Sequence, residues 1–287
     1  MPIVRRAFAE DFKKIYPLLI QFNKKNPRPL KRDWQELFKK HWDSPENYYG
    51  YILVEGEEIV GFLGLIFSRR LINGKSYNFC DMGNWIVYDK YREQSLSLLL
   101  PVLKLKDYTI TVQTAEERVN LILKRFGFKE LGTRVKIILP LPKIYHKNKN
   151  FAIEFNKKVI PDFLSDNEKG IFQDHLSCKG IHLVLRDANQ NCYVVLNKTV
   201  KKRFFPFARI HYIGNREIFL NCIEKKALLI CLKLGVLGFI VDERYINNAP
   251  IKGSISMKLK NPSLFKSNLL DKNSVDSLYS EWLVLNS

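Results

Sequence analysis

Apolar residues at strand and helical spacings divide the first half of the chain into short strands and amphipathic helices. Helical spacing predicts a helix over 9–23, which Pro17 would kink or divide, and a second helix over 34–42. A strand hairpin with Asn73-Gly74 as its turn is also predicted. The predicted strands of this region are 3–7, 48–54, 58–71 and 76–87.

The stretch from Trp85 to Leu103 joins a strand directly to a helix through a short charged turn. A run with β-branched residues ends at Val87, and an apolar helical segment follows the turn. The free N–H groups of a helix's first turn and the positive end of its dipole favour an anion such as a phosphate. Lys90 and Arg92 add positive charge beside those groups.

Beyond this helix, the sequence predicts a strand, another helix and a closing strand. The strand is expected at 108–112. Thr114 and Glu117 have the spacing of a capping box, which predicts a helix that begins just after Thr114. Gly127 has the position of a C-terminal cap. A last strand at 135–139 is expected to close this first unit.

Two segments resemble the GCN5-related N-acetyltransferase (GNAT) superfamily, in the order and at the separation that the family shows. The first is Val-x-x-x-Tyr-Arg and a polar loop, which begins at Val87. The second is Lys-Arg-Phe-Gly-Phe-Lys-Glu-Leu-Gly at 124–132. The resemblance covers residues 3–139 and implies an α/β fold, with a mixed sheet flanked by helices, and acyl-CoA-dependent acyl transfer.

The resemblance also implies where acyl-CoA would bind. In this family the fourth and fifth strands splay apart, and the pantetheine arm lies between them, hydrogen-bonded to strand four. The corresponding strands here are 76–87 and 108–112. Backbone N–H groups at 94–98 would hold the pyrophosphate. The implied acyl-CoA-binding residues are Ile86, Val87, Arg92, Gln94, Ser95, Leu96, Ser97 and Leu98.

Carboxylates on strand four of the family often take the proton of the attacking amine. Asp81 has such a position, and Asn84 could orient the amine or a water. The alternative for Asp81 is a hydrogen-bonded polar residue of the strand. Tyr48, Tyr49 and Trp85 could line the acceptor pocket or belong to the core.

Two departures from the family pattern bear on activity. The family loop is Arg/Gln-x-x-Gly-x-Gly/Ala, whereas both glycine positions here are serine, Ser95 and Ser97. A Cβ adds bulk where the backbone approaches phosphate, although a hydroxyl can donate a replacement hydrogen bond. Many members also have a general-acid tyrosine where this chain has Leu123, which cannot transfer a proton.

The second half repeats a similar order of elements, either as a degenerate second copy that makes the fold tandem or as an unrelated α/β lobe. The Pro/Lys/Asn-rich segment 140–150 is the predicted linker, which gives domains 1–142 and 151–287. Residues 275–285 could add to a sheet edge. Helices are predicted at 166–175 and 217–234, and strands at 181–186, 192–197, 208–213 and 237–243, with a hairpin turn over 187–191.

Composition narrows the class of protein. With 46% hydrophobic and 26% charged residues, the chain has a globular composition. It lacks an apolar segment long enough to span a membrane and an apolar signal core. Its five cysteines and five histidines have no metal-ligand spacing, so we expect reduced thiols, no metal and a cytoplasmic location.

The net charge of +18 is spread without a basic tail or block. The resulting positive electrostatic potential favours anionic partners, which include CoA phosphates and nucleic acid. It does not distinguish one anionic partner from another. A basic and aromatic cluster at 201–205 could stack on bases, or could be a strand end beside solvated charges.

The sequence therefore predicts an acyl-CoA-dependent N-acyltransferase that acylates, most simply with acetyl-CoA, a small amine or amino sugar. A non-catalytic acyl-CoA-binding or scaffold protein of the same fold is an alternative, because of Ser95, Ser97 and Leu123. Charge alone suggests a nucleic-acid-binding module. A homodimer is left open.

Overall fold

The structure, a computed structural model, describes residues 2–22, 30–140, 151–187, 190–201 and 205–285. These residues form two compact units. Unit 1 comprises the residues up to Leu131 together with 263–274 and 279–285. Unit 2 comprises Gly132–Pro262 and 275–278. The predicted linker residues 141–150, the connection 23–29 and positions 188–189 and 202–204 lie outside the described residues.

The described residues contain fourteen strands and seven α-helices. The strands are β1 Ile3–Ala7, β2 Gly50–Glu55, β3 Glu58–Ile72, β4 Lys75–Val87, β5 Tyr108–Val112, β6 Lys129–Glu130, β7 Arg134–Ile138, β8 Ala152–Glu154, β9 Ile181–Asp187, β10 Gln190–Lys201, β11 Phe205–Ile213, β12 Phe239–Asp242, β13 Ser254–Lys258 and β14 Leu264–Lys266. The helices are α1 Phe12–Phe22, α2 Lys31–Glu36, α3 Leu96–Leu103, α4 Glu117–Arg125, α5 Asp166–His175, α6 Arg216–Leu234 and α7 Glu281–Leu285.

The sheet of unit 1 has the order β1-β2-β3-β4-β5-β14-β6. Strands β1 to β4 are antiparallel neighbours, and β4 and β5 are parallel, as predicted. Asn73 and Gly74 both have positive φ, of 51° and 75°, which the two-residue hairpin turn between β3 and β4 requires. Pro17 does not divide α1, which runs without interruption from Phe12 to Phe22. The second helix ends at Glu36 rather than at 42.

The sheet of unit 2 has the order β13-β7-β12-β11-β10-β9-β8. Its core lies between this sheet and α6, whose ends agree with the predicted helix to within one residue. Asn215 caps α6 by accepting a hydrogen bond from the N–H of Ile218, and Gly235 ends the helix with a φ of +63°. The short connection between β11 and α6 is therefore a helix cap.

The strand at 134–138 was expected to close unit 1, and this expectation is wrong. This strand, β7, pairs with β12 and β13 in the sheet of unit 2. The place beside β5 is taken by β14, which arrives from near the end of the chain. Short strands rich in β-branched residues carry no local signal that says which sheet they join. The predicted edge strand within 275–285 is also wrong, because this segment contains α7.

All five cysteines are buried and free of disulfides, as expected. Among the described residues, no helix combines the length and the apolar character that crossing a bilayer needs. No group of three or more His, Cys, Asp or Glu side chains within these residues is placed to hold a metal ion.

Candidate functional site

Strands β4 and β5 separate beyond Asp81, which pairs with Thr111 as the last residue of their register. Just past that point β4 contains a bulge, since two of its residues, Asn84 and Trp85, lie opposite Leu63 of β3. Asn84 has the left-handed φ of 50° that such a bulge favours. Among the described residues, none of the β4 positions after Asp81 pairs with β5. We call this opening the β4–β5 gap, and its strands are those that the sequence predicted.

The loop after β4 does not present all of its predicted amides. It is a 3₁₀ turn from Asp89 to Gln94, followed by α3. The N–H of Ser95 donates to the carbonyl of Arg92 at 3.1 Å, and the N–H of Leu98 donates to the carbonyl of Ser95 at 3.2 Å. The expectation of a free amide cradle over 94–98 is therefore wrong for these two residues.

The side chains of this loop are also engaged within it. The hydroxyl of Ser97 donates to the carbonyl of Gln94 at 2.6 Å, and Arg92 forms an exposed ion pair with Asp89 at 2.5 Å. Arg92 and Asp89 are both exposed to solvent, so an incoming phosphate could displace Asp89 from Arg92 at a small cost in free energy. The indole N–H of Trp85 donates to the carbonyl of Ser95 at 3.2 Å and so holds the loop against β4. Trp85 is not among the residues that line the two cavities described below.

Asp81 is a buried carboxyl that holds neighbouring backbone in place. It accepts a hydrogen bond from the hydroxyl of Thr111 at 2.6 Å and one from the N–H of Glu281 at 3.3 Å. Burial raises the pKa of Asp81 well above its ordinary value, and the charge of Glu281 raises it further, against the lowering effect of the Thr111 hydrogen bond. These contacts agree with the alternative that Asp81 is a hydrogen-bonded polar residue of the strand.

A second carboxylate, Glu281, lies in the β4–β5 gap, and the sequence analysis missed it. Its Oε1 accepts a hydrogen bond from the hydroxyl of Thr114, and its Oε2 lies 3.4 Å from Nδ2 of Asn84. Thr114 was predicted to cap α4, and this is wrong: α4 begins at Glu117, and the hydroxyl serves Glu281 instead. The sequence gives no local signal for this contact, because the two residues are 167 positions apart.

A small cavity adjoins the gap, and a large cavity shares four lining residues with it but has none from β4 or β5. The large cavity, of about 510 Å³, is within the range of small-molecule sites. Tyr48 and Tyr49 are among its lining residues, and Tyr48 also belongs to the core of unit 1. The remaining lining residues come from α2 and the loop after it, from β3 and from α7: Glu36, Leu37, Lys39, Lys40, His41, Trp42, Ser44, Pro45, Glu46, Asn47, Leu65, Ile66, Phe67 and Val284. The small cavity is lined by Gly64, Gly83, Asn84, Glu281 and Phe62, and shares Leu37, Tyr49, Leu65 and Ile66 with the large one.

Tyr48 and Tyr108 are poor replacements for the general-acid tyrosine whose position Leu123 occupies. Leu123 is fully buried in the core of unit 1. The hydroxyl of Tyr108 donates to Glu46 at 3.1 Å, and burial raises the pKa of this tyrosine. The pKa of Tyr48 is raised by the same cause. Both phenols are therefore weaker acids than an ordinary tyrosine. A thiolate also leaves readily without an acid.

Unit 2 contains a comparable pair of parallel strands. β11 and β12 pair only at Ala208 and Arg209 of β11, after which they diverge. Ser277 lies in that β11–β12 gap: its Oγ is 2.9 Å from Nδ1 of His211 on β11 and accepts from the hydroxyl of Tyr245, which follows β12, at 3.3 Å. The chain's own segment 275–278 therefore occupies this gap.

No protein-family model matches the sequence, and a search of curated proteins finds no match. Solved structures do match. A protein of unknown function from Enterococcus faecalis V583, a probable N-acyltransferase, is similar with a TM-score of 0.59 at 14% identity, over 92% of this chain and 72% of that one. A GCN5-related N-acetyltransferase from Anabaena variabilis is similar with a TM-score of 0.55 at 10% identity, over 92% and 72%.

The chain has the GNAT fold. A candidate acetyltransferase from Pyrococcus horikoshii matches over 96% of this chain and 92% of its own, with a TM-score of 0.52 at 14% identity. Because these matches run through both units, the two mixed sheets with their flanking helices form a tandem GNAT-like α/β fold, as predicted. That unit 2 arose as a copy of unit 1 stays a prediction.

Proposed function

We propose that unit 1 transfers an acyl group from acyl-CoA, most simply acetyl-CoA, to the amino group of a small amine or amino sugar in the β4–β5 gap. The observation that carries the proposal is the separation of β4 from β5 beyond Asp81, at the bulge of Asn84. The small cavity at this bulge shares four lining residues with the cavity of about 510 Å³. An extended pantetheine arm can pair with the open edge of β4, while the cavity receives the acceptor.

Binding would place two reactants side by side. The backbone of Ile86 and Val87 would hold the arm, and the loop from Arg92 to Leu98 would hold the pyrophosphate once Arg92 leaves Asp89. The amine would then attack the thioester carbon: an N–C bond forms, the C–S bond breaks and CoA leaves as a thiolate. Holding both reactants in this geometry supplies much of the rate enhancement.

The cavity fits an acceptor of modest size. The rings of Trp42, Tyr48 and Phe67 lie among its lining residues, and aromatic faces attract an amine in its charged form. Its two carboxylates, Glu36 and Glu46, are balanced by Lys39 and Lys40, and Lys39 forms an ion pair with Glu36 at 2.6 Å.

Two measurements test the proposal. Isothermal titration with acetyl-CoA should show saturable binding, and thiol release with a panel of small primary amines, including glucosamine and short diamines, should show turnover. Arg92→Ala should weaken acetyl-CoA binding about tenfold, because a charge-assisted contact to phosphate is lost. Arg32→Ala, an exposed arginine of α2, should leave binding unchanged. Absence of binding by the wild-type chain would refute the proposal.

A non-catalytic acyl-CoA-binding protein is the second candidate. The internal hydrogen bonds of the Ser95 and Leu98 amides favour it, since they remove two donors that a phosphate would use. Binding of acetyl-CoA with no thiol release across the amine panel would support it. A homodimer, a nucleic-acid partner and a cytoplasmic location stay predictions of the sequence.

A further inference from the structure

Glu281 is a buried carboxylate at the place where the β4–β5 gap meets the small cavity. Only 4% of the residue is exposed. Its two oxygens face two elements of the gap, Thr114 just past β5 and Asn84 at the bulge of β4. Among the described residues, neither Glu281 nor Asp81 forms an ion pair with lysine or arginine. A buried charge without a cation is costly to stability, and such groups concentrate at functional sites.

Gly83 leaves the space that Glu281 occupies. It pairs with Gly64 of β3, against which the ring of Phe62 lies. A Cβ on Gly83 would come within 2.6 Å of Oε2 of Glu281 and within 3.2 Å of its Cδ. The carboxylate therefore lies directly on the backbone of β4, beside the edge that an extended arm would use.

The short helix α7 connects this carboxylate to the acceptor side. Glu281 and Val284 are three positions apart and so lie on the same face of α7. Glu281 lines the small cavity, and Val284 lines the large one. The segment before α7 is held firmly, because Tyr279 packs against Trp42, with ring centroids 4.9 Å apart, and under the guanidinium of Arg70.

We propose that Glu281 is the general base of the acyl transfer, an assignment that rests on the proposed function. Its carboxylate accepts the proton of the amine nitrogen as that nitrogen bonds to the thioester carbon. The C–S bond then breaks, the carbonyl re-forms, and the proton passes through solvent to the CoA thiolate. The products are an amide and CoA thiol, with no other reactant consumed.

Asp81, the base that the sequence favoured, becomes a positioning residue. Its Oδ2 accepts the N–H of Glu281 and so fixes the start of α7, while its Oδ1 is held by Thr111. Burial raises the pKa of the Asp81 carboxyl, and both of its oxygens are committed to hydrogen bonds that hold the backbone and Thr111. The two carboxyl groups thus have different environments and different tasks.

The test compares Glu281→Gln with the wild type and with Glu57→Gln, an exposed residue in the turn between β2 and β3. Acetyl-CoA is the donor, and the acceptor is the amine of the panel with the highest wild-type rate. Glu281→Gln should lower kcat by about 10²- to 10⁴-fold and remove the acid limb of the pH profile of kcat. Acetyl-CoA binding by titration should stay within about threefold, since the amide replaces the carboxylate atom for atom. Glu57→Gln should behave as the wild type.

Each outcome separates the two proposals. If the wild type turns over and Glu281→Gln keeps both its kcat and its acid limb, the assignment of Glu281 is overturned and acyl transfer stands. If the wild type releases no thiol, the proposed function fails and takes the assignment with it. Should Glu281→Gln not fold, Thr114→Val tests the same group: loss of the hydroxyl that donates to the carboxylate should move the acid limb to higher pH, and an unmoved limb would contradict the assignment.

Discussion

Replacing Gly83 by alanine should displace the Glu281 carboxylate without changing the residue itself. Gly83 lies in the extended backbone of β4 and has no positive φ, so its conformation suits alanine. The new Cβ would stand 2.6 Å from Oε2 of Glu281. Since ordinary contact begins near 3.4 Å, the carboxylate must retreat by about 0.8 Å.

That displacement has a cost in stability and a larger cost in rate. The Asn84 hydrogen bond, already 3.4 Å long, would be lost, and the one from Thr114 would be strained. A hydrogen bond to a charged group contributes about 1.5–3 kcal/mol, and alanine recovers about 0.4–1 kcal/mol by restricting the unfolded chain. We expect a net loss of about 1 kcal/mol in the free energy of unfolding. A misplacement of about 1 Å lowers kcat by about 10²-fold.

Urea denaturation and thiol-release kinetics measure the two effects. Gly170→Ala is the matched control, because a Cβ on this glycine of α5 meets nothing within 4 Å. It should stabilise the protein by about 0.5–1 kcal/mol and leave the rate unchanged. Combining Gly83→Ala with Glu281→Asp, a shorter side chain, should restore stability but not rate. A Gly83→Ala protein with wild-type stability and wild-type kcat would show that the carboxylate does not lie against β4.

Three further predictions concern other parts of the molecule. Asp81→Asn should lower stability by about 1–2 kcal/mol in urea denaturation, because its amide opposes the N–H of Glu281, and should lower kcat less than about tenfold. Gly50→Ala should cost about 3 kcal/mol by the same measurement, because Gly50 has a φ of +151° and its Cβ would meet the carbonyl oxygen of Leu63 at 2.2 Å. Burial lowers the pKa of His175, His182 and His211, that of His182 to about 3, so the unfolded chain binds these protons at a higher pH than the folded chain does. The free energy of unfolding should therefore be full above about pH 6.5 and fall below it, by up to about 1.4 kcal/mol per pH unit for each histidine. A flat profile of stability from pH 7.5 to 5 would contradict this.

Local patterns predicted most elements of both sheets, because hydrophobic spacing and turn residues act over a few positions. The β4 hairpin and β5 follow from Asn73-Gly74 and from alternation, and the superfamily resemblance placed the β4–β5 gap correctly. Long-range pairing was beyond such patterns. Nothing near Val135 marks β7 as a strand of unit 2, and nothing near Leu264 marks β14 as the neighbour of β5.

The same limit explains the errors at the site. Thr114-x-x-Glu has the local spacing of a cap, but the partner of its hydroxyl is Glu281, which only the folded chain brings near. The Thr114 hydroxyl donates to this carboxyl group and does not cap α4, whose N-cap residue is Glu116. The amides of the loop after β4 show the same limit: the N–H groups of Ser95 and Leu98 donate to the carbonyls of Arg92 and Ser95, and no residue pattern announces these bonds.

The two gaps of the chain differ in what fills them, and this predicts one acyl-CoA site per chain. In unit 1 the gap holds the side chain of Glu281 against Gly83, and among the described residues no strand pairs with the β5 side of β4 past Asp81. In unit 2 the gap holds the segment 275–278, with Ser277 hydrogen-bonded to His211 and Tyr245, and Arg244 donating to the carbonyl of Val275. Opening it would leave the fully buried His211 without that partner, a cost of about 1–3 kcal/mol before any ligand contact forms.

Titration with acetyl-CoA should therefore saturate at one molecule per chain. Ser277→Ala, which removes the hydroxyl but keeps the segment, should lower stability without creating a second site. Arg92→Ala, in the loop of unit 1, should weaken the single binding event rather than one of two. A stoichiometry of two in the wild type would mean that unit 2 opens for a ligand, and the view of its gap as self-filled would be wrong.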